Sequence, residues 1–277
     1  MTSGIGPLAG ASHESEGFLE QMGRKLAGWE DPAFRLRQAL ERNELVLYAQ
    51  PILSLRGPEQ FPLAEALVRL REEEKALLPP GEFLPAFEHY GMMRELDRWV
   101  TRHVIDRLAR GSRVPRLSIN VSAQTLGDAG FAQFVAAELA RARVPAASLV
   151  FEIDENDALA TPEPTAQFAA SVKSAGCQLL LDGFGRRSVS FTPLTKLRVD
   201  FVKVDGVIIR KLPSSEVARS KLNAIVRVGD AIGVGVIGEC VEEQQTLDQV
   251  KAAGAGYAQG FGLRRPAPLD GIAEGAV

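Results

Sequence analysis

The sequence predicts an α/β fold, a (β/α)8 TIM-like barrel, on three observations. From residue 44 onward short apolar runs alternate with amphipathic helical stretches, the runs number eight, and each carries a polar side chain in or at its C-terminal end. Alternation of this kind marks βα units, eight strands close a barrel, and a barrel gathers what its strands carry at their C-terminal ends into one mouth. The runs are 44–50, 61–69, 116–121, 149–153, 178–182, 200–205, 234–239 and 257–261. Leu179, Leu180 and Leu181 show the signal best, because they are continuous rather than alternating, as a strand covered on both faces requires. Asp182 ends that run, and a carboxylate there either caps a turn or meets a cation or a pocket.

Composition bounds the rest. At 277 residues and 45% hydrophobic, the chain suffices for one large α/β domain or two small ones. Its 32 basic residues against 35 acidic ones leave no positive surface for duplex nucleic acid, so no bulk nucleic-acid partner is expected. Cys177 and Cys240 are far apart and in no CxxC spacing, which reads as two reduced thiols without zinc. No run approaches the roughly 18 apolar residues of a membrane span, and no signal-peptide pattern opens the chain, so a cytoplasmic location is expected.

In chain order, residues 1–16 are small and polar and read as a disordered tail. Phe18, Leu19, Met22, Leu26 and Trp29 have helical spacing, which makes 17–32 a helix and linker. Its apolar stripe packs either on the main domain or on a partner, including a second copy of the chain. Asp31 and Pro32 read as N-cap and first residue of the next helix, so the barrel domain is set at 33–270, with 271–277 a C-terminal tail. Between the second and third strands an extra helix is expected around Pro80–His89, followed by a long one with Leu96, Trp99, Val100, Val104 and Leu108 on one face. Phe131, Phe134, Val135 and Leu139 line another, and two more end at Gly233 and Gly254. His89 and His103 read as structural because neither ends a strand, and Glu72-Glu73-Glu74 reads as a solvated loop.

The polar groups in or at the ends of the runs are Gln50, Glu65, Asn120, Glu152, Asp182, Lys203 with Asp205, Glu239 and Gln259. Any single acid among them reads equally as a structural ion pair. Together they place several carboxylates in one mouth, where they repel unless cations intervene, and an all-oxygen set with an Asn suits Mg²⁺, Mn²⁺ or Ca²⁺.

Eight phrases carry a family resemblance: Tyr48-AQP-Ile52, Glu65-ALV-Arg69, Ser118-INV-Ser122, Glu152-ID-Glu155, Asp182-GF-Gly185, Lys203-V-Asp205, Glu239-CV-Glu242 and Gln259-Gly260. In order and spacing they resemble the EAL domain family over residues 33–268, with Glu65-Ala66-Leu67 as the naming tripeptide. The resemblance implies a barrel whose first strand is antiparallel, and hydrolysis of the bacterial messenger cyclic di-GMP to the linear dinucleotide with two Mg²⁺ or Mn²⁺ ions. Carried over by position, Glu65, Asn120, Glu152 and Asp182 resemble the ligands of the first metal. Lys203 and Glu239 resemble groups close to the attacking water, and Asp205 is grouped with them as catalytic. Gln50, Val68, Arg69 and Gln259 resemble ligand contacts, and Glu155 a loop-organising acid.

The departures qualify that expectation. Where the family has two aspartates followed by Phe-Gly-Thr-Gly-Tyr-Ser-Ser, this chain reads Asp182-Gly183-Phe184-Gly185-Arg186-Arg187-Ser188-Val189-Ser190. Gly183 gives a second ion no carboxylate, so one bound Mg²⁺ or Mn²⁺ is expected rather than two. Arg186 and Arg187 are either solvated or bring a guanidinium toward the vacated position, as ligand-binding groups. Asp154 stands for the usual Thr, Leu70 for Trp and Cys240 for Gly. Three functions follow: a cyclic di-GMP-binding signalling protein with lost or weakened hydrolysis, an active phosphodiesterase, or a protein-interaction scaffold that no longer takes nucleotide.

Overall fold

Eight strands close on themselves in the computed structural model, which describes residues 31–57, 60–72, 76–78 and 80–274. The expected tail 1–16 and nearly all of the expected helix 17–32 lie outside the described residues. The strands are β1 (Leu45–Ser54), β2 (Leu63–Glu72), β3 (Ala76–Leu78), β4 (Leu117–Asn120), β5 (Leu149–Asp154), β6 (Gln178–Phe184), β7 (Phe201–Val204), β8 (Gly235–Gly238), β9 (Tyr257–Ala258) and β10 (Ala267–Pro268). The barrel runs β1-β2-β4-β5-β6-β7-β8-β9 and back to β1. All neighbours are parallel except at β1, which is antiparallel to both β2 and β9. Alternating βα units by themselves imply parallel strands throughout; β1 departs from this and agrees with the family resemblance, because hydrophobic periodicity carries no direction.

Side-chain alternation along strands then fixes what lies inside. Ile52, Leu63, Val150, Leu180, Phe201 and Ile237, with Tyr257 against them, form a separate apolar cluster that fills the barrel. Two residues further along each parallel strand the same inward face presents Glu65, Glu152, Asp182, Lys203, Glu239 and Gln259. On the reversed β1 the order is mirrored, and Gln50 precedes Ile52 by two. The outward faces, including Phe151, Leu179 and Leu181, join the larger cluster under the helices.

Around the barrel, helices Pro32–Glu41, Pro80–His89, Met93–Ala109, Phe131–Ala142, Pro162–Ser174, Glu216–Ile232 and Gln244–Ala252 bury their apolar faces. Asp31 caps the first by accepting from the Phe34 amide at 2.9 Å, with Pro32 at its start. The extra helix falls at Pro80–His89 as its pattern indicated. Two boundaries differ from expectation. β2 runs on to Glu72 and returns as β3 in a hairpin, so Glu72 belongs to a strand rather than a loop, while Glu73 and Glu74 lie outside the described residues. The expected tail 271–277 is replaced as far as Glu274 by helix Leu269–Glu274, whose Leu269, Ile272 and Ala273 are buried. None of the described helices is long and apolar enough to cross a membrane.

Candidate active site

The interior side chains two residues above the apolar layer meet in one hydrogen-bonded group. Lys203 Nζ donates to Glu152 Oε2 at 2.7 Å and to Glu65 Oε2 at 2.9 Å, and stands 3.8 Å from Asp182 Oδ1. Asn120 Nδ2 donates to Glu65 Oε1 at 2.9 Å, and Gln259 Nε2 donates to Glu65 Oε2 at 2.9 Å and to Gln50 Oε1 at 3.5 Å. Gln50 in turn donates from Nε2 to the Arg264 carbonyl at 2.9 Å. Glu65, in register with Gln50 across β1 and β2, is therefore the acceptor on which Asn120, Lys203 and Gln259 converge.

One ammonium among three carboxylates leaves negative charge in excess. Burial pushes Glu152 up to about 8, with the neighbouring Glu65 adding to the rise and Lys203 opposing it. Burial likewise raises Asp182. Burial would raise Glu65 too, but the charge of Lys203 and the bonds from Lys203, Asn120 and Gln259 outweigh it and hold Glu65 below its ordinary value. Burial disfavours the Lys203 ammonium, yet Asp182, Glu152 and Glu65 together hold it well above the ordinary lysine value. Glu239 stands a little apart: its Oε1 accepts from the Gly206 amide at 2.6 Å, and burial, then Asp182, pushes it up to about 7.

Residues 34–266 match the EAL domain family. The chain belongs to that family. It is 31% identical over 245 residues to the cyclic di-GMP phosphodiesterase PdeB of Shewanella oneidensis, covering 87% of this chain and 29% of that protein. With the cyclic di-GMP phosphodiesterase PdeF of Escherichia coli it shares 31% identity over 238 residues, 85% of this chain and 32% of that one. The chain thus spans about a third of the length of these relatives. Among solved structures, the EAL domain of FimX from Pseudomonas aeruginosa bound to c-di-GMP superposes with a TM-score of 0.78 at 32% identity, covering 86% of this chain and 96% of that one. A c-di-GMP complex of the PaMucR phosphodiesterase gives 0.79 at 27% identity, covering 87% and 99%.

Within the EAL frame, the donor set suits a divalent cation by its chemistry, though not by the present placement of its side chains. Glu152 Oε1 and Asp182 Oδ1 are buried without a hydrogen-bond partner, and both belong to the all-oxygen set Glu65, Asn120, Glu152 and Asp182. Such orphaned carboxylate oxygens are costly unless a cation faces them. As the side chains stand, among the described residues no three carboxylates close on one point as metal ligands, and the Lys203 ammonium fills the space between Glu65, Glu152 and Asp182. Lys203 would have to give way for an ion to enter.

The remaining predicted residues separate into two groups. Glu155 Oε2 accepts from the buried Gly185 amide at 3.0 Å and so holds the loop that follows β6. Arg69 lies four residues along β2 from Glu65, donates to the Val68 carbonyl at 2.8 Å, and sits over the Tyr48 ring at 5.7 Å. Asp205 does not join the Lys203 group; it accepts from the Val207 amide at 2.7 Å and from Arg186 Nε at 2.6 Å. Arg186 also reaches Asp154 Oδ2 at 3.3 Å through Nη1, so it is anchored, whereas Arg187 is exposed. Sequence reasoning missed the pairing of Arg186 with Asp154 and Asp205. The available signal was that Asp154, Gly183 and Arg186 all depart from the family pattern.

Gly183 takes φ +67, and a Cβ built on it would lie 2.8 Å from Arg186 Nη2. The vacated side-chain position is thus filled by a guanidinium. It also lies in the left-handed region, where an L residue is strained. An aspartate placed at 183 would therefore meet both backbone strain and the Arg186 guanidinium.

Proposed function

We propose that this EAL domain binds cyclic di-GMP at the mouth of its barrel, as a signalling component whose hydrolysis of the messenger is lost or weakened. The carrying observation is the combination of a retained inner set, Glu65, Asn120, Glu152 and Asp182, with a position 183 that offers no carboxylate. The inner set takes one Mg²⁺ or Mn²⁺ rather than two. When bound, such an ion supplies positive charge to phosphodiester oxygens and acidifies a nearby water. Arg69 supplies a guanidinium for a ligand phosphate, and Gln50 and Gln259 offer amide groups to the polar edges of the bases. Glu239, titrating near neutrality, can accept a proton.

Calorimetric titration of the full chain with cyclic di-GMP in magnesium tests the reading, alongside chromatographic detection of linear dinucleotide. Saturable binding with release far below that of an active EAL phosphodiesterase is the expected result, and a manganese titration should end at one ion per chain. No binding would favour the scaffold reading. Release as fast as that of the active control would make the chain a phosphodiesterase, a reading favoured by the complete inner set and by Glu239.

A further inference from the structure

The geometry points to Arg186 as a fixed internal cation that replaces the second carboxylate and its ion and binds a phosphodiester oxygen of the ligand, so that ligand binding does not depend on that ion. The inference rests on the reading of the chain as a cyclic di-GMP binder.

Its first support is the coincidence of space. A Cβ at Gly183 would stand 2.8 Å from Arg186 Nη2, 3.1 Å from its Cζ and 3.3 Å from Asp154 Oδ2, so guanidinium and aspartate occupy the room that a side chain at 183 would need. The second is anchorage. Arg186 Nε donates to Asp205 at 2.6 Å and Nη1 to Asp154 at 3.3 Å, which holds the planar group at two of its edges. A solvated arginine on a loop would show neither bond.

The third support is that the three departures make one assembly. Asp154 stands where the family has Thr, Gly183 where it has Asp, and Arg186 where it has Thr, and all three meet at one point. Loss of a metal ligand by drift gives no reason for a new acid and a new base to appear in contact with each other and with the vacancy. Replacement of one cation by another does.

Donor arithmetic completes the case. A guanidinium carries five N–H groups. The bonds to Asp205 and Asp154 engage Nε and Nη1, while Nη2 makes no hydrogen bond among the described residues and the side chain is 43% exposed. The Nη2 edge is thus left to an incoming anion. Without this cation, Asp154, Asp182 and Asp205 would together repel a phosphodiester; the bond that Arg186 donates to Asp205, and behind it the charges of the three aspartates, hold the guanidinium above its ordinary value. Asp154 and Asp205 act as positioning residues for the guanidinium.

The test is calorimetric titration of the full chain with cyclic di-GMP, in EDTA and in excess magnesium, for wild type, Arg186→Ala, Arg186→Lys, Asp154→Thr and Arg187→Ala. Whatever the one inner ion contributes, Arg186→Ala should lose about tenfold or more relative to wild type in each buffer in which wild type binds, as for a charge-assisted bond. Arg186→Lys, which keeps charge but not the fork, should fall between them, Asp154→Thr should lose a few-fold, and Arg187→Ala should match wild type. If Arg186→Ala fails to fold, Arg186→Lys carries the comparison. Arg186 variants that bind as tightly as wild type in every buffer in which wild type binds would overturn the inference while leaving the cyclic di-GMP reading intact. A wild type that binds in neither buffer would overturn both.

Discussion

Lys203 and Arg186 are both cations set among carboxylates in the same mouth, yet they are held in opposite ways. Lys203 is 2% exposed, lies on a barrel strand and touches Glu65 and Glu152, residues that the family pattern already contains. Arg186 is 43% exposed, lies on the loop after β6 and bonds both Asp205, which that pattern contains, and Asp154, which it does not. The inner group is dictated by strand register, since every interior position two residues above the apolar layer must face its neighbours. The outer group obeys no such rule. A loop can be rebuilt around a lost carboxylate while the strands beneath it stay as they were.

The largest effect should come from the inner cation. Lys203→Met leaves the buried Glu152 and the partly buried Glu65 and Asp182 without their ammonium, and should cost about 3–5 kcal/mol in urea unfolding under EDTA. Excess Mn²⁺ should narrow that deficit, because an ion can take the space the ammonium vacated. Arg186→Ala, half-exposed and screened, should cost at most about 1 kcal/mol in the same assay. Equal losses at the two sites would break the comparison.

Next is the proton on Glu239. Its folded value of about 7 exceeds the ordinary 4.5, so between these values the folded chain holds a proton that the unfolded chain has released. Stability therefore falls as pH rises from about 4.5 to about 7, and the full cost is present above that window. Glu239→Gln, which keeps an acceptor for the Gly206 amide, should flatten this slope in metal-free buffer and gain on the order of 2 kcal/mol at pH 8. An unchanged slope would place the titration elsewhere.

Gly183→Asp sharpens the contrast at the rim. At φ +67 an aspartate should cost about 1 kcal/mol, and its side chain must displace the Arg186 guanidinium. Alone it should leave linear dinucleotide release low, whereas with Arg186→Thr release under excess manganese should rise on the order of tenfold to a hundredfold. A single substitution as active as the pair would mean that the guanidinium never blocked the position. The smallest effect is expected at Cys240, which takes φ 55 where the family has Gly. Cys240→Gly should raise stability by about 0.5 kcal/mol, read as a small rise in melting temperature.

Much of this was legible because the barrel repeats one rule. Leu180 followed at two residues by Asp182, or Phe201 by Lys203, is a pattern within one strand, and a linear sequence displays it. β1 hid its direction because Gln50 and Ile52 satisfy the same alternation read either way. The pairing of Arg186 with Asp154 joins residues 32 apart on adjacent βα units, and only the parallel pairing of β5 with β6, which sets Asp154 beside Asp182, brings them together. Glu152, Asp182 and Glu65 were recognised as one set, but the insertion of Lys203 among them depends on side-chain reach. Helix Leu269–Glu274 was missed although Leu269, Ile272 and Ala273 have helical spacing, since one turn and a half is too short a periodic signal.

The reversal of β1 also decides where mechanical load enters the barrel. Helix Pro32–Glu41 passes through Asn43, at φ 53, directly into the strand. The Glu44 amide bonds the Ala39 carbonyl at 3.0 Å, and the Glu44 carbonyl accepts from Arg71 at 3.0 Å. From there Leu45 is paired with Leu70, and Gln50 with Glu65. A pull at Asp31 would therefore be passed along these hydrogen bonds to the strand pair that carries Gln50 and Glu65. A parallel first strand would have delivered it to the barrel's base, beneath Ile52 and Leu63. In this chain such a pull would reach the mouth of the barrel first.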